Sequence, residues 1–404
     1  MSIKEENKLL ITEYKHHILT AFYEEGRITG LLAEPVESSA LLGNIYVGKV
    51  KNIVKNIGAA FVEFEKGQMG YLPLTDKVKP VFTNHTGKKV TEKIGTGDEV
   101  IVQIEREAVK TKPPTLSCIL DISGKYLVLC VGKKGVSISK KIKDKKEKER
   151  LHEILSPYES EHYELIARTN SAGVPKELLE EEFLELDKKY HEIVMQGIHR
   201  TVFSKLYETE PLYLEKIKNM YKKDAVFIET DSEVLYEKMD RYIKEHHWQE
   251  QCQVSLWKEE NGKFSAVYNI EKTLEKALYK RVWLKSGGYL VIEPTEAFVS
   301  IDVNTGKAIG KKKDIEAHFL KINLEAAKEI AVQLKLRNLS GIIIVDFIDM
   351  KSPEANEELM RVFRQELKKD SVPTKLVDMT KLGLVEVTRK KQRKPLYELI
   401  NLHH

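Results

Sequence analysis

The chain of 404 residues has only three cysteines, Cys118, Cys130 and Cys252, far apart and with no Cys-x-x-Cys pair among them. That spacing argues against a disulfide framework and a cysteine zinc site, and it fits a reducing cytoplasm. No apolar run approaches the roughly 18 residues that suggest a membrane-spanning helix. The strongly apolar stretch Ile342 to Val345 stops at Asp346. The first residues hold Lys4, Glu5, Glu6 and Lys8 where a signal peptide would carry an apolar core, so export by that route is not expected. Internal repeats and long low-complexity linkers are missing. So is a phosphate loop ending in Gly-Lys-Ser or Gly-Lys-Thr: neither Gly43-Asn-Ile-Tyr-Val-Gly nor Ser286-Gly-Gly has it, and nucleotide hydrolysis is not indicated. The histidines are scattered and no Ser, His and acid arrangement emerges, which leaves nucleophilic hydrolysis without support.

A net charge of any size is lacking too. With 66 Lys and Arg against 62 Asp and Glu the sum is +4, so distribution decides more than total. Lys133 to Arg150 holds nine basic residues against Asp144, Glu147 and Glu149; Lys307 to Lys313 and Arg389 to Lys394 are shorter basic clusters. Each suits phosphate-backbone contact, because a Lys or Arg placed near a phosphate releases condensed counterions. Each taken alone also reads as a solvated charged face.

A chain of this length exceeds one compact core, so roughly two to four units are expected. From Gly43 to Ile104, short strand-like runs (Ile45 to Val47, Ala59 to Phe64, Gly70 to Leu72, Val100 to Ile104) are separated by glycine-bearing breaks, which predicts a small closed β-barrel. Its alternation makes Phe61 and Tyr71 candidates for an outer face, where aromatics flanked by Lys49, Lys51 and Lys112 suit base stacking on an OB-fold. A place in the core is equally open to both rings. Gly124 to Cys130 and Tyr163 to Arg168 read as strands, and Pro175 to Val194 as an amphipathic helix with Leu179, Phe183, Leu186, Tyr190 and Val194 on one face. Towards the C-terminus, a helical pattern over Glu271 to Arg281 precedes Ser286-Gly-Gly-Tyr-Leu-Val-Ile, a strand opened by a glycine turn. Phe298 to Val303 reads as a strand, Ile315 to Arg337 as a long helix closed by Ser340-Gly341, and Ile342 to Ile348 as a buried strand.

Two of these strands end in an aspartate, Phe-Val-Ser-Ile before Asp302 and Ile-Ile-Ile-Val before Asp346. Ligands bind at strand ends in α/β sheets, so the two carboxylates converge if their strands are neighbours. Hard oxygen ligands with room for water suit Mg²⁺, which lowers the pKa of a bound water and offsets charge on a phosphate. Asn304 adds a neutral oxygen or holds the ligand geometry. The blander alternative has Asp302 capping the Asn304-Thr-Gly turn and Asp346 paired with a nearby Lys or Arg.

The segment Gly287-Gly-Tyr-Leu-Val-Ile-Glu-Pro-Thr-Glu-Ala-Phe-Val-Ser-Ile-Asp-Val-Asn-Thr-Gly306 closely resembles the active-site segment of the ribonuclease E/G family. Asn323-Leu-Glu-Ala-Ala327 and Gly341-Ile-Ile-Ile-Val-Asp-Phe-Ile-Asp-Met350 continue the match, and Gly58-Ala-Ala-Phe-Val, Gly70-Tyr-Leu-Pro-Leu, Tyr126-Leu-Val-Leu and Ile166-Ala-Arg-Thr169 extend it through the N-terminal half. The resemblance implies a multidomain α+β chain: an RNase H-like element in two parts (1–40 and 212–278), interrupted by an OB-fold RNA-binding domain (41–120) and a 5′-phosphate sensor domain (121–211), then a DNase I-like catalytic domain (279–404). It places the family's metal-binding aspartates on Asp302 and Asp346 and the accompanying asparagine on Asn304. RNA-gripping positions fall on Phe61, Tyr71 and Lys112, and a 5′-monophosphate pocket on Gly124, Val128, Arg168 and Thr169. The family's Cys-Pro-x-Cys zinc link is absent after Glu386-Val-Thr-Arg-Lys-Lys-Gln-Arg-Lys-Pro395, so no structural zinc is expected, nor assembly beyond a homodimer through the catalytic domain. The expectation is a cytoplasmic, Mg²⁺-dependent endoribonuclease, with Mn²⁺ as a substitute, single-stranded RNA as partner and no membrane. A non-catalytic RNA-binding protein of the same fold is the alternative, against which the retention of both aspartates speaks. A DNA nuclease shares the metal chemistry.

Overall fold

The computed structural model describes residues 7–36, 42–74, 79–83, 93–108, 112–220, 226–306 and 315–400; the basic stretch 307–313 lies outside them. No described helix is long and apolar enough to cross a membrane. The fold is mixed α+β, and the chain divides into two units, one made of Met1–Ser38 with Asp224–His404, the other of Ser39–Lys223.

Three antiparallel strands open the chain: β1 (Lys8–Tyr14), β2 (His17–Glu24) and β3 (Arg27–Pro35). The second unit follows. Its strands β4 (Ile45–Val54), β5 (Ala59–Glu65), β6 (Gln68–Pro73), β7 (Glu99–Arg106) and β8 (Thr115–Ser117) form a closed five-stranded barrel, as the alternation predicts and as an OB-fold requires. Closure comes from the β4–β7 pairing and from a parallel contact of β6 with β8, a strand the sequence reading did not pick out. Tyr46, Val62, Phe64, Leu72, Val102 and Leu116 fill the interior.

The same unit continues with β9 (Leu120–Ser123), β10 (Leu127–Val131), β11 (Gly135–Ile138), α1 (Lys145–Leu155), β12 (Tyr163–Ala167) and α2 (Lys176–Tyr190). The four strands form a sheet in the order β11-β12-β10-β9, and Leu179, Phe183 and Leu186 of α2 join its core. The predicted strand from Gly124 starts only at Leu127, because the backbone N–H groups before it turn towards a carboxylate of α2. The predicted helix to Val194 leaves α geometry after Tyr190, where His191–Met195 widens into a π turn. β13 (Lys205–Tyr207) returns to the barrel beside β4, and α3 (Leu212–Asn219) ends the unit.

The first unit resumes with β14 (Val226–Thr230), α4 (Glu233–Glu245), β15 (Cys252–Leu256), α5 (Phe264–Val267) and α6 (Ile270–Leu278). β14 pairs parallel with β1, so strands from either side of the second unit share one sheet in the order β15-β14-β1-β2-β3. The rest is β16 (Arg281–Trp283), β17 (Tyr289–Pro294), β18 (Val299–Asn304), α7 (Ile315–Leu336), β19 (Gly341–Asp346), α8 (Pro353–Leu367), β20 (Thr374–Met379), β21 (Leu384–Arg389) and α9 (Leu396–Leu399). This sheet runs β16-β17-β18-β19-β21-β20, and only β18 and β19 are parallel within it. A parallel pair needs a crossover, which α7 supplies. Ile322, Ala326, Ile330 and Leu334 of α7 and Leu359 and Phe363 of α8 pack on one face of the sheet, each buried Leu, Ile or Phe contributing about 1.5–3 kcal/mol. On the other face Asp302, Ile342 and Asp346 are exposed, and among the described residues no helix covers it.

Helix α7 ends on Asn338, which takes the left-handed conformation (φ +48°), and not on the predicted Ser340-Gly341. The Arg389 guanidinium holds that end: it donates to Asn338 Oδ1 at 2.9 Å and to the Leu339 carbonyl at 3.0 Å, and it pairs with Asp370 at 2.7 Å. Both partners of the ion pair are about 5% exposed or less. Arg389 is therefore not available to a phosphate, and the predicted basic cluster from Arg389 to Lys394 loses its first member to the core. Removing one partner of such a pair strands the other charge without water. Arg389→Ala is expected to cost about 3–5 kcal/mol, read from the midpoint of urea unfolding.

Candidate metal centre and nucleic-acid surfaces

Period-two alternation turns Val299, Ile301 and Val303 of β18 into the core and leaves Ser300, Asp302 and Asn304 on the open face. On β19, Ile343 and Val345 go inwards and Asp346 outwards. The parallel register sets Asp302 directly against Asp346. Both carboxylates are exposed, and among the described residues neither forms an ion pair. Asn304 Nδ2 donates to Asp302 Oδ2 at 2.8 Å. That bond ties the Asn304 amide to the orientation of the Asp302 carboxylate. Partial burial first, then the neighbouring Asp302 and Asp349 carboxylates, raise Asp346 above its ordinary pKa.

This donor set has negative charge to spare. Among the described residues no three or more His, Cys, Asp and Glu side chains stand close enough to cage a metal by themselves. Mg²⁺ needs no such cage, since it is commonly held by one or two carboxylates while it keeps several waters. Two adjacent carboxylates on an open face fit that mode better than a closed zinc site.

Helix α7 holds the loops around the pair. Asn323, fully buried, donates to the Ile348 carbonyl at 2.8 Å and accepts from its N–H at 3.0 Å, fixing the chain just past Asp346. Glu316 accepts from the N–H groups of Lys351 and Ser352 at 3.0 and 3.2 Å. Glu325 accepts from those of Lys285 and Ser286 at 2.6 and 3.1 Å. The Ser286-Gly-Gly turn thereby lies against the end of β18: a Cβ on Gly288 would stand 2.7 Å from the Asn304 carbonyl, and one on Gly306 (φ +64°) 2.2 Å from that of Gly287. Sequence reasoning gave no role to Glu316, Asn323, Glu325 or Asp349. Two signals were available: a polar Asn323 beside Ile322 and Ala326 on the apolar stripe of α7, and the place of Asn323, Glu325 and Asp349 inside the family-like motifs.

In the second unit, Phe61 and Tyr71 face each other across β5 and β6, their ring centroids 6.1 Å apart and edge to face. Both are half-buried and stand outside the barrel core, which resolves their position in favour of the outer face. Lys112 is exposed, and the chain just after it reaches Tyr71, whose N–H donates to the Pro114 carbonyl at 2.8 Å. Lys51 is tied to Glu63 at 2.8 Å, so the basic flank is partly neutralised.

Farther along, the Arg168 guanidinium donates to the Gly124 carbonyl, and Thr169 Oγ1 lies 3.0 Å from Ser139 Oγ. Val128 sits on β10 opposite Ile166, two residues before Arg168. Glu182 of α2 accepts the N–H groups of Lys125, Tyr126 and Leu127 at 2.6, 2.7 and 2.7 Å. Gly124 is needed there, since a Cβ would meet the Glu182 carboxylate at 2.5 Å. Burial lowers the Arg168 pKa against the pull of Glu182 and Glu215. Glu164 of β12 accepts from the Ser137 hydroxyl and takes no part in an ion pair with Arg168. All three cysteines are buried and none is in a disulfide among the described residues, and burial pushes Cys118 up to about 12, away from the character of a reactive thiolate.

The folded chain holds the Asp346 proton more tightly than the unfolded chain does, so stability falls as pH rises from the unfolded to the folded value. Asp346→Asn removes that penalty. In chelator its Tm is expected above wild type at neutral pH, the gap closing as pH drops below the carboxylate range; a lower Tm at neutral pH would show that the pair is not under repulsion.

A family model described as the Ribonuclease E/G family matches residues 121–392. Ribonuclease E of Nostoc sp. (strain PCC 7120 / SAG 25.82 / UTEX 2576) is 32% identical over 396 residues, covering 97% of this chain and 57% of its own length. Ribonuclease G of Haemophilus influenzae is 29% identical over 405 residues, with 97% of this chain and 81% of the relative covered. A ribonuclease E/G-like protein of Pyropia yezoensis is 31% identical over 363 residues, 89% of this chain and 71% of the relative. The chain thus spans a little over half of the ribonuclease E and most of the ribonuclease G.

Proposed function

The chain belongs to the ribonuclease E/G family, and we propose that it is a Mg²⁺-dependent endoribonuclease that cuts single-stranded RNA to leave 5′-phosphate and 3′-hydroxyl ends. The observation that carries this reading is the register pair Asp302 and Asp346, two carboxylates without a cationic partner among the described residues on the open face of a sheet. When bound, magnesium supplies a Lewis acid that lowers the pKa of water and offsets the charge building on a phosphate. Asp302 and Asp346 would hold it. Asn304 fixes the orientation of Asp302 through its 2.8 Å hydrogen bond, and Asn323 fixes the chain that follows Asp346. Phe61 and Tyr71 offer ring faces to bases, and Lys112 a charge to the backbone. The arrangement of the sheets supports reading the first as RNase H-like and the last as a DNase I-like catalytic domain.

Arg168 supports a 5′-monophosphate site. It spends one N–H donor on Gly124 among the described residues, and a guanidinium has five in a fork that matches a phosphate. Thr169, next in the chain, has its hydroxyl 3.0 Å from that of Ser139.

Asp302→Asn and Asp346→Asn should each abolish cutting while RNA binding persists, chelator should do the same, and Mg²⁺ or Mn²⁺ should restore the wild type. Matched RNA and DNA strands in one cleavage assay separate this reading from a DNA nuclease, and wild-type rates in either mutant would sink the site. Phe61→Ala and Tyr71→Ala are each expected to weaken RNA binding by roughly 1–3 kcal/mol, with the fold intact by circular dichroism. Arg168→Ala should erase any preference for a 5′-monophosphate over a 5′-hydroxyl end, and leave cutting of 5′-hydroxyl RNA unchanged. Equal wild-type rates on the two ends at low substrate would remove the sensor.

A further inference from the structure

The sheet that bears the two aspartates carries, at its β16 edge, a cluster of side chains not yet given a role. Val282 turns to the core, while Arg281 and Trp283 stand on the open face. Trp283 is 64% exposed, an unusual setting for so large an apolar surface. Its ring packs against Tyr289 of β17 with centroids 5.2 Å apart and planes 57° from parallel. The Arg281 guanidinium lies over both rings, 4.6 Å from the Tyr289 centroid and 5.7 Å from that of Trp283. Among the described residues no carboxylate pairs with Arg281, whereas neighbouring Lys280 is bound to Glu293 at 2.8 Å. The cluster keeps its positive charge.

Register ties this platform to the aspartates. Trp283 lies opposite Tyr289, Tyr289 opposite Asn304, and Asn304 donates to Asp302. All stand on one face, and two strand spacings, about 10 Å, separate Trp283 from Asn304. Exposed rings present π-faces to a base, and a guanidinium above them adds a cation for the adjoining phosphate. A protein partner would use the apolar surface but would have no need of an uncompensated charge in line with two metal-binding carboxylates.

We propose that Arg281, Trp283 and Tyr289 form a subsite for one nucleotide flanking the cleaved bond, its base stacked on Trp283 and its phosphate met by Arg281. This rests on the nuclease reading above. The test uses the full chain and short end-labelled single-stranded RNA, with binding read by fluorescence anisotropy in chelator, where cutting stops. Trp283→Ala should weaken binding about tenfold, Trp283→Phe should recover most of the loss, and Arg281→Gln should flatten the salt dependence. Because Trp283 is exposed, these variants should fold as the wild type does. Bases are then removed one position at a time from the RNA. The wild type should lose affinity at one position next to the cleaved bond, and Trp283→Ala should be indifferent to the same removal, since the two changes delete one interaction. In Mg²⁺ the variant should show a KM raised about tenfold with kcat near wild type. Unchanged affinity in Trp283→Ala, or a loss that ignores which base is missing, would overturn the subsite. A wild type that cuts no RNA in Mg²⁺ yet shows the base-specific coupling would remove the nuclease reading and leave the stacking site supported.

Discussion

The candidate centre depends on one strand pairing, the parallel register of β18 with β19 that sets Asp302 against Asp346. Two like charges in adjacent positions repel, and among the described residues no cation draws them together. The sheet does it, through Ile301 and Val345 on the buried face, both essentially without exposure. A slip of one residue would send an aspartate into the core and an apolar side chain to the surface. Hydrophobic burial on one face thereby maintains an unfavourable electrostatic arrangement on the other, as a metal-binding site needs if it is to be filled.

The parallel pair also demands a crossover, and the crossover is put to a second use. Glu316, Asn323 and Glu325 of α7 reach the backbone of three loops that border the pair. The second unit repeats the device with Glu182 of α2, which gathers three N–H groups next to Gly124. In each case a carboxylate or amide on a rigid helix satisfies donors that a loop would otherwise leave to water, and the loop acquires one conformation. Glycine appears where the loop must then approach closely, at Gly288 and Gly306 in one unit and Gly124 in the other.

Charge is distributed less simply than composition suggests. Arg389 is spent on Asp370 inside the protein, Lys134 and Arg150 from the longest basic run meet Glu161 and Glu147, and Lys51 meets Glu63. By contrast Arg168 and Arg281 have no ion pair among the described residues, and each stands beside groups suited to a nucleotide. Which cations are free for a phosphate is a matter of neighbours, and neighbours are set by folding.

By itself the sequence determined the elements whose signal is local. The period-two strands, the 3.6-residue stripe of Ile322, Ala326, Ile330 and Leu334, and the arrival of an aspartate at the end of two apolar strands were all legible, because backbone geometry writes them into neighbouring residues. The long motifs from Gly287 to Gly306 and from Gly341 to Met350 were enough to place the chain in its family. Tertiary structure alone decided what depends on residues distant in the chain. It set the outer-face position of Phe61 and Tyr71, brought Glu182 to face Arg168, and buried Arg389. It also brought Trp283, Tyr289 and Asn304 into one row. Such choices are made by strand register and helix packing, which join positions tens to hundreds of residues apart and leave no periodic trace in the text of the chain.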